Sequence, residues 1–299
     1  MKGYSILVLI LTLLTILACG KTQPRDEVTE SSTVYSAEHG DEIPAAELEA
    51  LSDSLSGQAS SLKGYAYIWT GSDDIPPVLV IVDDFGNSGG KLLEDFCALP
   101  PEVAFAVLPD LPHTVETGKL AAQSGHEVLI HIPMQAVSSS VNPGKNHIRT
   151  SSGEAEVKTM LEDFHAQLPM AVGANNHMGS AVTADAQAMD SVLKVLSGRG
   201  LLFVDSATTT ESVVPGLAGE FGLPYIRRDI FLDVPDNTDG TLAAKINELG
   251  RFKGRAEPVV IITHCHNRQK LDALRKFLTQ IQGMGLRLAT LSEAGKLPA

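Results

Sequence analysis

The stretch Val78-Leu79-Val80-Ile81-Val82-Asp83-Asp84-Phe85-Gly86 opens, after Pro76-Pro77, with five consecutive apolar residues, most of them β-branched. It closes on a turn-forming glycine. This composition fits a strand buried on both faces better than a short helix. Two adjacent carboxylates then stand at its carboxyl end. Side chains alternate along a strand, so Asp83 and Asp84 diverge unless the chain leaves the sheet there; if it does, one carboxylate can serve a metal and the other a proton. The competing reading makes one Asp the cap of the next helix and leaves the other solvated.

Further along the chain the same pattern recurs. Apolar runs at 103–108, 128–132, 170–173, 201–205, 259–264 and 286–290 read as strands, and Tyr225-Ile226 as the start of another. Helical spacing covers 91–99, 112–123, 154–167, 183–196, 241–252 and 269–282. Ser151-x-x-Glu154 has the form of a capping box, and Thr183 is the expected cap of the following helix. Buried strands alternating with amphipathic helices about seven times imply parallel pairing, in a closed (β/α) barrel or an open doubly wound sheet. We expect an α/β fold, a distorted (β/α) barrel of about seven strands, because of where the polar residues fall. Asp83, Asp84, His131, His177, Asp205 and His264 each lie at or just past the carboxyl end of a successive strand, where barrel enzymes build their sites.

The 299 residues are 43% hydrophobic and 20% charged, enough for a sizeable core. A net charge of −13 argues against nucleic acid as a partner, and no Gly-rich phosphate loop is present. The three cysteines form no Cys-x-x-Cys pair, which excludes the common thiolate zinc and redox motifs. At the N-terminus Lys2 precedes an apolar run over 6–17, short for a membrane span and suited to a signal-peptide core. Ile16-Leu17-Ala18-Cys19 resembles a bacterial lipobox, which implies a signal peptide at 1–18, lipidation of Cys19 and a membrane-anchored, exported protein. A plain secretory signal is the alternative, and it too implies export. Residues 19–74 are rich in Ser, Glu, Asp and Thr and read as an acidic flexible tether before a domain at 75–299.

Among the candidate ligands, His131 lies inside an apolar strand and reads equally as a core histidine bonded to backbone. His177 stands among two Asn and a Gly, where neither packing nor helix formation explains its neighbours. His264 and His266, at i and i+2, can share a face. His126, after Gly125, reads as a turn residue or a functional one. A hydrolytic metal needs about three nitrogen or oxygen ligands and a position for water, which His, His and Asp from different strands can supply.

Val-Asp-Asp-Phe-Gly at 82–86, Gly-His-Glu-x-x-x-His at 125–131, Asn-Asn-His-Met-Gly-Ser at 175–180, Leu-Phe-Val-Asp-Ser at 202–206 and Ile-Ile-Thr-His at 261–264 resemble the divergent polysaccharide deacetylases. These are relatives of the NodB-type carbohydrate esterases, and the resemblance runs from Pro77 onward. It implies a NodB-like barrel, an N-acetylated polysaccharide as substrate and a divalent metal such as zinc. It also implies Asp83 as catalytic base, Asp84 as metal ligand and His131 as the first metal histidine. The family's second metal histidine falls four residues later, where this chain has Gln135, a poor ligand for a zinc-like ion. His177 is the expected replacement. By the same resemblance His264 is the general acid; apart from the resemblance, Asp205 is the candidate to orient it, and Asn176, Arg228 and Asp229 are candidates to hold substrate.

The implied reaction is hydrolysis of an acetamido group by metal-activated water, with Asp83 taking a proton and His264 protonating the amine. The alternative is a non-catalytic lipoprotein that binds a glycan or an envelope partner on the same barrel. Cys97 and Cys265 are either a disulfide, as an oxidising compartment permits, or buried thiols.

Overall fold

β1 (Val78–Phe85) is the centre of a sheet whose nine strands all pair in parallel. A computed structural model of the chain describes residues 61–69 and 74–296. The expected signal peptide, Cys19 and most of the 19–74 tether lie outside the described residues. The other strands are β2 (Ala104–Val107), β3 (Val128–Met134), β4 (Gly173–Met178), β5 (Leu202–Asp205), β6 (Ile226–Arg227), β7 (Ile230–Phe231), β8 (Val259–His264) and β9 (Leu288–Ala289). They are ordered β6-β5-β4-β3-β2-β1-β8-β7, and β9 pairs with the start of β1. β6 and β7, on the two edges, are separated only by Arg228 and Asp229, so the sheet curls until one short segment serves both edges. This is the distorted barrel expected, with nine strands because β6, β7 and β9 are two-residue pieces.

The helices are α1 (Gly90–Cys97), α2 (Thr114–Gln123), α3 (Glu154–Gln167), α4 (Ala186–Gly198), α5 (Val214–Leu217), α6 (Asp239–Leu249), α7 (Arg268–Gly283) and α8 (Leu291–Ala294). Two expected caps are not used. α3 begins at Gly153 without a side-chain cap, and Ser152, not Ser151, accepts from the Arg149 backbone. Asp185 caps α4 by accepting from Ala188 N at 2.9 Å, while Thr183 Oγ1 donates to Gly179 O. Asp185 is the acceptor that immediately precedes the first turn, which is where a cap must sit.

Alternation along the strands sorts their residues onto two faces. Val78, Val80 and Val82, with Val128, Ile130, Ile132, Ala174 and Phe203, face the helices and form the larger core. Leu79 and Ile81, with Ala104, Ala106, Leu129, Val204, Val260 and Ile262, fill the interior of the curl, where Leu291 and Ala294 of α8 join them. Fully burying each Val, Leu, Ile or Phe among them contributes about 1.5–3 kcal/mol, and each Ala less. Continuing the inner rows past Ile81, Leu129 and Ile262 by two residues arrives at Asp83, His131 and His264. The inside of the barrel is therefore apolar below and polar at the carboxyl ends.

Residues 61–69, assigned from composition to the flexible tether, are instead docked on the domain. Leu62 is buried, Trp69 Nε1 donates to Ile246 O at 2.7 Å, and Ile68 N donates to Asn247 Oδ1 at 2.8 Å. Trp69 brings a large apolar area and its own hydrogen bond, which a composition dominated by Ser and Glu upstream concealed.

Candidate metal centre

The site forms where β1, β3, β4 and β8 end. Parallel register sets Asp83 beside His264 and His131 beside Asn175. Asp84 follows Asp83 and by alternation belongs on the opposite face. Its φ of 70° places it in the left-handed region, and the β1–β2 register shifts between Val82 and Phe85. That break turns Asp84 back to the inner side, which is the departure from the sheet that the sequence required of an Asp-Asp pair. Asp accepts this conformation more readily than most residues because its short side chain bonds locally. Met178 (φ 55°) and Ala207 (φ 50°) make similar turns after β4 and β5, so strain collects at this rim. Gly179, also at positive φ, lies where a Cβ would meet Met134 Cβ at 2.9 Å, which explains the glycine in Asn-Asn-His-Met-Gly-Ser.

Asp84 Oδ1 lies 3.2 Å from His131 Nε2 and 3.0 Å from His177 Nδ1, and the two ring nitrogens are 3.2 Å apart. Oδ1 is buried, yet neither contact has hydrogen-bond geometry. Three ligand atoms thus form a nearly equilateral triangle, in which the two ring nitrogens are within hydrogen-bond distance of each other and Asp84 Oδ1 has no hydrogen-bond partner. Tetrahedral ligands at about 2.0–2.1 Å from a zinc-like ion stand about 3.3 Å apart, so this set fits such a cation. Among the described residues these are the three whose ligand atoms converge in this way.

Asn175 organises what lies behind the triangle. Its Oδ1 accepts from His131 Nδ1 at 2.7 Å, and its Nδ2 donates to Asp83 Oδ1 at 2.8 Å. A protonated Nδ1 leaves the Nε2 lone pair for a metal, the usual way an outer partner fixes a ligand's tautomer. Asp83 Oδ2 is 3.7 Å from His131 Nε2. Burial pushes the Asp83 carboxyl above its ordinary value, against the lowering effect of His131. For Asp84 burial acts in the same direction but is outweighed by His131, His177 and His266, which hold it well below the carboxylate range. Burial lowers His131, but Asp83 and then Asp84 raise it to about 9. A cation at Nε2 competes with that proton.

His264 Nδ1 lies 2.8 Å from Asp233 Oδ2, and its backbone N donates to the same oxygen at 3.2 Å. Lys270 Nζ also bonds that oxygen. Burial lowers His264, but Asp233 raises it above its ordinary value. Asp233 thus orients His264, and the expectation that Asp205 does so is corrected. Asp205 follows Phe203 on the helix-facing side, where it accepts from Ala207 N and Ser212 Oγ at 2.8 and 2.7 Å. Asn176 has the same wrong parity. It is buried, accepts from Ser206 N at 2.8 Å and donates to Met178 O at 2.7 Å, so it fastens the strand-end loops and offers nothing to a substrate.

Asp229 is not at the site either. It pairs in a fork with Arg255 and accepts from Val260 N, near the amino-terminal end of β8, opposite His264. Arg228 spends Nε and one terminal nitrogen on the carbonyls of Ser206 and Ala207 and stacks 3.7 Å over Phe231. It braces the rim. Gln135 does not point a ligand at the triangle; its Oε1 accepts from Thr150 N at 3.2 Å, and its backbone ties down 148 and 181. His126 is a core residue, stacked on Phe105 with its ring nitrogens on the carbonyls of Val103 and Cys97. Cys97 and Cys265 are free thiols.

A cleft of about 450 Å3 runs from Asp84, His177 and His266 to the 142–146 loop. Asn146 Nδ2 donates to Asp110 Oδ2 across its wall at 2.8 Å. Another cavity of about 350 Å3 lies between Tyr225, Arg255 and Ala294, toward the amino-terminal ends of the strands and away from these groups.

The model of the family described as divergent polysaccharide deacetylase matches residues 80–294, from inside β1 to the end of α8. This chain belongs to that family. It is 33% identical over 190 residues to the uncharacterized protein YibQ of Escherichia coli K12, covering 62% of this chain and 58% of that one. It is 36% identical over 157 residues to an uncharacterized protein of Haemophilus influenzae Rd, covering 52% of this chain and 54% of the other. The matched region thus spans just over half the length of these curated relatives. Among solved structures, the uncharacterized protein ATU2773 of Agrobacterium tumefaciens C58 superposes with a TM-score of 0.67 at 23% identity, over 78% of this chain and 94% of that one. That likeness supports the fold.

Proposed function

We propose that this member of the family is a metal-dependent hydrolase that removes acetyl groups from an N-acetylated envelope or extracellular glycan. The observation that carries the reading is the triangle of Asp84 Oδ1, His131 Nε2 and His177 Nδ1 at 3.0–3.2 Å, with the buried Asp83 at its edge. Asp84, His131 and His177 would hold the ion. A divalent cation there polarises the amide carbonyl and lowers the pKa of water.

Asp83 accepts one proton as the water oxygen bonds to the acetamido carbon. Its carboxylate is suited to this because burial raises its basicity while Asn175 fixes one oxygen and leaves the other toward His131. His264, held by Asp233 through Nδ1, delivers the Nε2 proton to the nitrogen as the carbon–nitrogen bond breaks. Acetate and the free amine are the products. Protonation is required because an amine anion is too poor a leaving group. The export and Cys19 anchoring expected from the N-terminus would bring the domain to such glycans.

The test is acetate release from N-acetylglucosamine oligomers and peptidoglycan fragments by the purified chain with zinc. Asp83→Asn is expected to lower turnover by about 10²- to 10⁴-fold while leaving bound zinc unchanged. A wild-type chain that binds zinc yet releases no acetate from any N-acetylated glycan would overturn the catalytic reading in favour of a binding protein.

A further inference from the structure

His266 touches Asp84 yet has no role in the reading above. It shares a face with His264, the two rings stacking at 5.3 Å and 23°, as the i, i+2 spacing allows. The pair does not converge on one ligand. β8 runs on past its last strand residue, with Cys265 N donating to Asp83 O at 3.1 Å, and this lays His264 beside Asp83 and His266 beside Asp84. His266 Nε2 then meets Asp84 Oδ2 at 2.7 Å. The two oxygens of Asp84 are thereby divided: Oδ1 faces His131 and His177, and Oδ2 is taken by His266.

We propose that His266 is a positioning residue that reserves Asp84 Oδ2, so that Asp84 offers a single oxygen to the cation held with His131 and His177. The inference rests on the metal-site reading. Asp84 needs such a restraint more than an ordinary strand residue does, because it sits at a left-handed turn where sheet pairing has already shifted. A free carboxylate at that position can rotate or bind a cation through both oxygens, filling a position that water requires. A donor on Oδ2 prevents both. His266 is half exposed, 52% for the side chain, so its removal leaves no core cavity.

The experiment titrates the full chain with Zn²⁺ alone by calorimetry and records the absorption of the Co²⁺-loaded form, for wild type, His266→Ala and His266→Gln. His266→Ala is expected to weaken Zn²⁺ by about 10- to 100-fold at unchanged stoichiometry, the usual effect of losing an outer partner of a ligand. It is also expected to weaken the visible Co²⁺ bands as the coordination number rises. His266→Gln, whose amide nitrogen can reach Oδ2, is expected to restore both. Unchanged affinity and spectrum in His266→Ala overturn the inference and leave the metal site standing. Failure of wild type to bind either ion overturns the metal-site reading, and this inference with it.

Discussion

Polar residues on the two faces of the same strand ends have different tasks. Asp83, His131 and Asn175 lie inside the curl and are linked to one another, beside the triangle of Asp84, His131 and His177 that suits a cation. Asn176 and Asp205, a residue away in phase, lie on the helix side and are bonded to backbone or a loop serine. Residue type does not distinguish the two groups. Phase does, and Asp84 crosses from one group to the other only through its left-handed turn.

The comparison is broken most severely at His131. His131→Ala is expected to abolish zinc binding and to lower acetate release by about a thousandfold or more, the several kcal/mol a Lewis acid supplies. Metal analysis and turnover measure both, and near-normal zinc content would refute the inner assignment. A paired substitution sharpens the contrast. Asn175→Ala should weaken zinc by about 10- to 100-fold, because the tautomer of His131 is no longer fixed. Asn176→Ala should cost about 1–3 kcal/mol of stability through unpaired backbone groups, with zinc affinity unchanged. If the two variants exchanged phenotypes in melting and titration experiments, the parity argument would fail.

The remaining effect, seen only as pH changes, concerns Asp233. Its carboxyl is held down to about 2 by His264 and Lys270, against the raising effect of burial. A depressed acid contributes stability above its unfolded value of 3.8 and loses it as pH falls through about 2. His264 is raised by the same contact, so its share is present below 6.5 and fades as pH rises through its folded value. Asp233→Asn should therefore remove about 2 kcal/mol at intermediate pH and flatten the acid limb of a denaturation profile. It should also return the His264 titration, followed by NMR, towards its ordinary value.

The architecture was readable because its strands are dense apolar runs with polar residues at one end, a pattern that survives without coordinates. Asp84, His131 and His177 stood among the strand-end candidates for the same reason, and the resemblance to the deacetylases set them apart as ligands. The phase within Gly173–Met178 could not, because Gly173-Ala174 gives too little alternation to say which Asn faces inward. Asp233 escaped notice since β7 is only two residues long and leaves no strand signature before it. Asp229 carries no sequence mark of its partner, as Arg255 lies 26 positions away and its pairing is purely tertiary.

The segment from Ile226 to Phe231 supplies both borders of the sheet, two residues at each. Neighbouring molecules are thus offered almost no unpaired ladder on which to add a strand, and self-association through the backbone has little purchase.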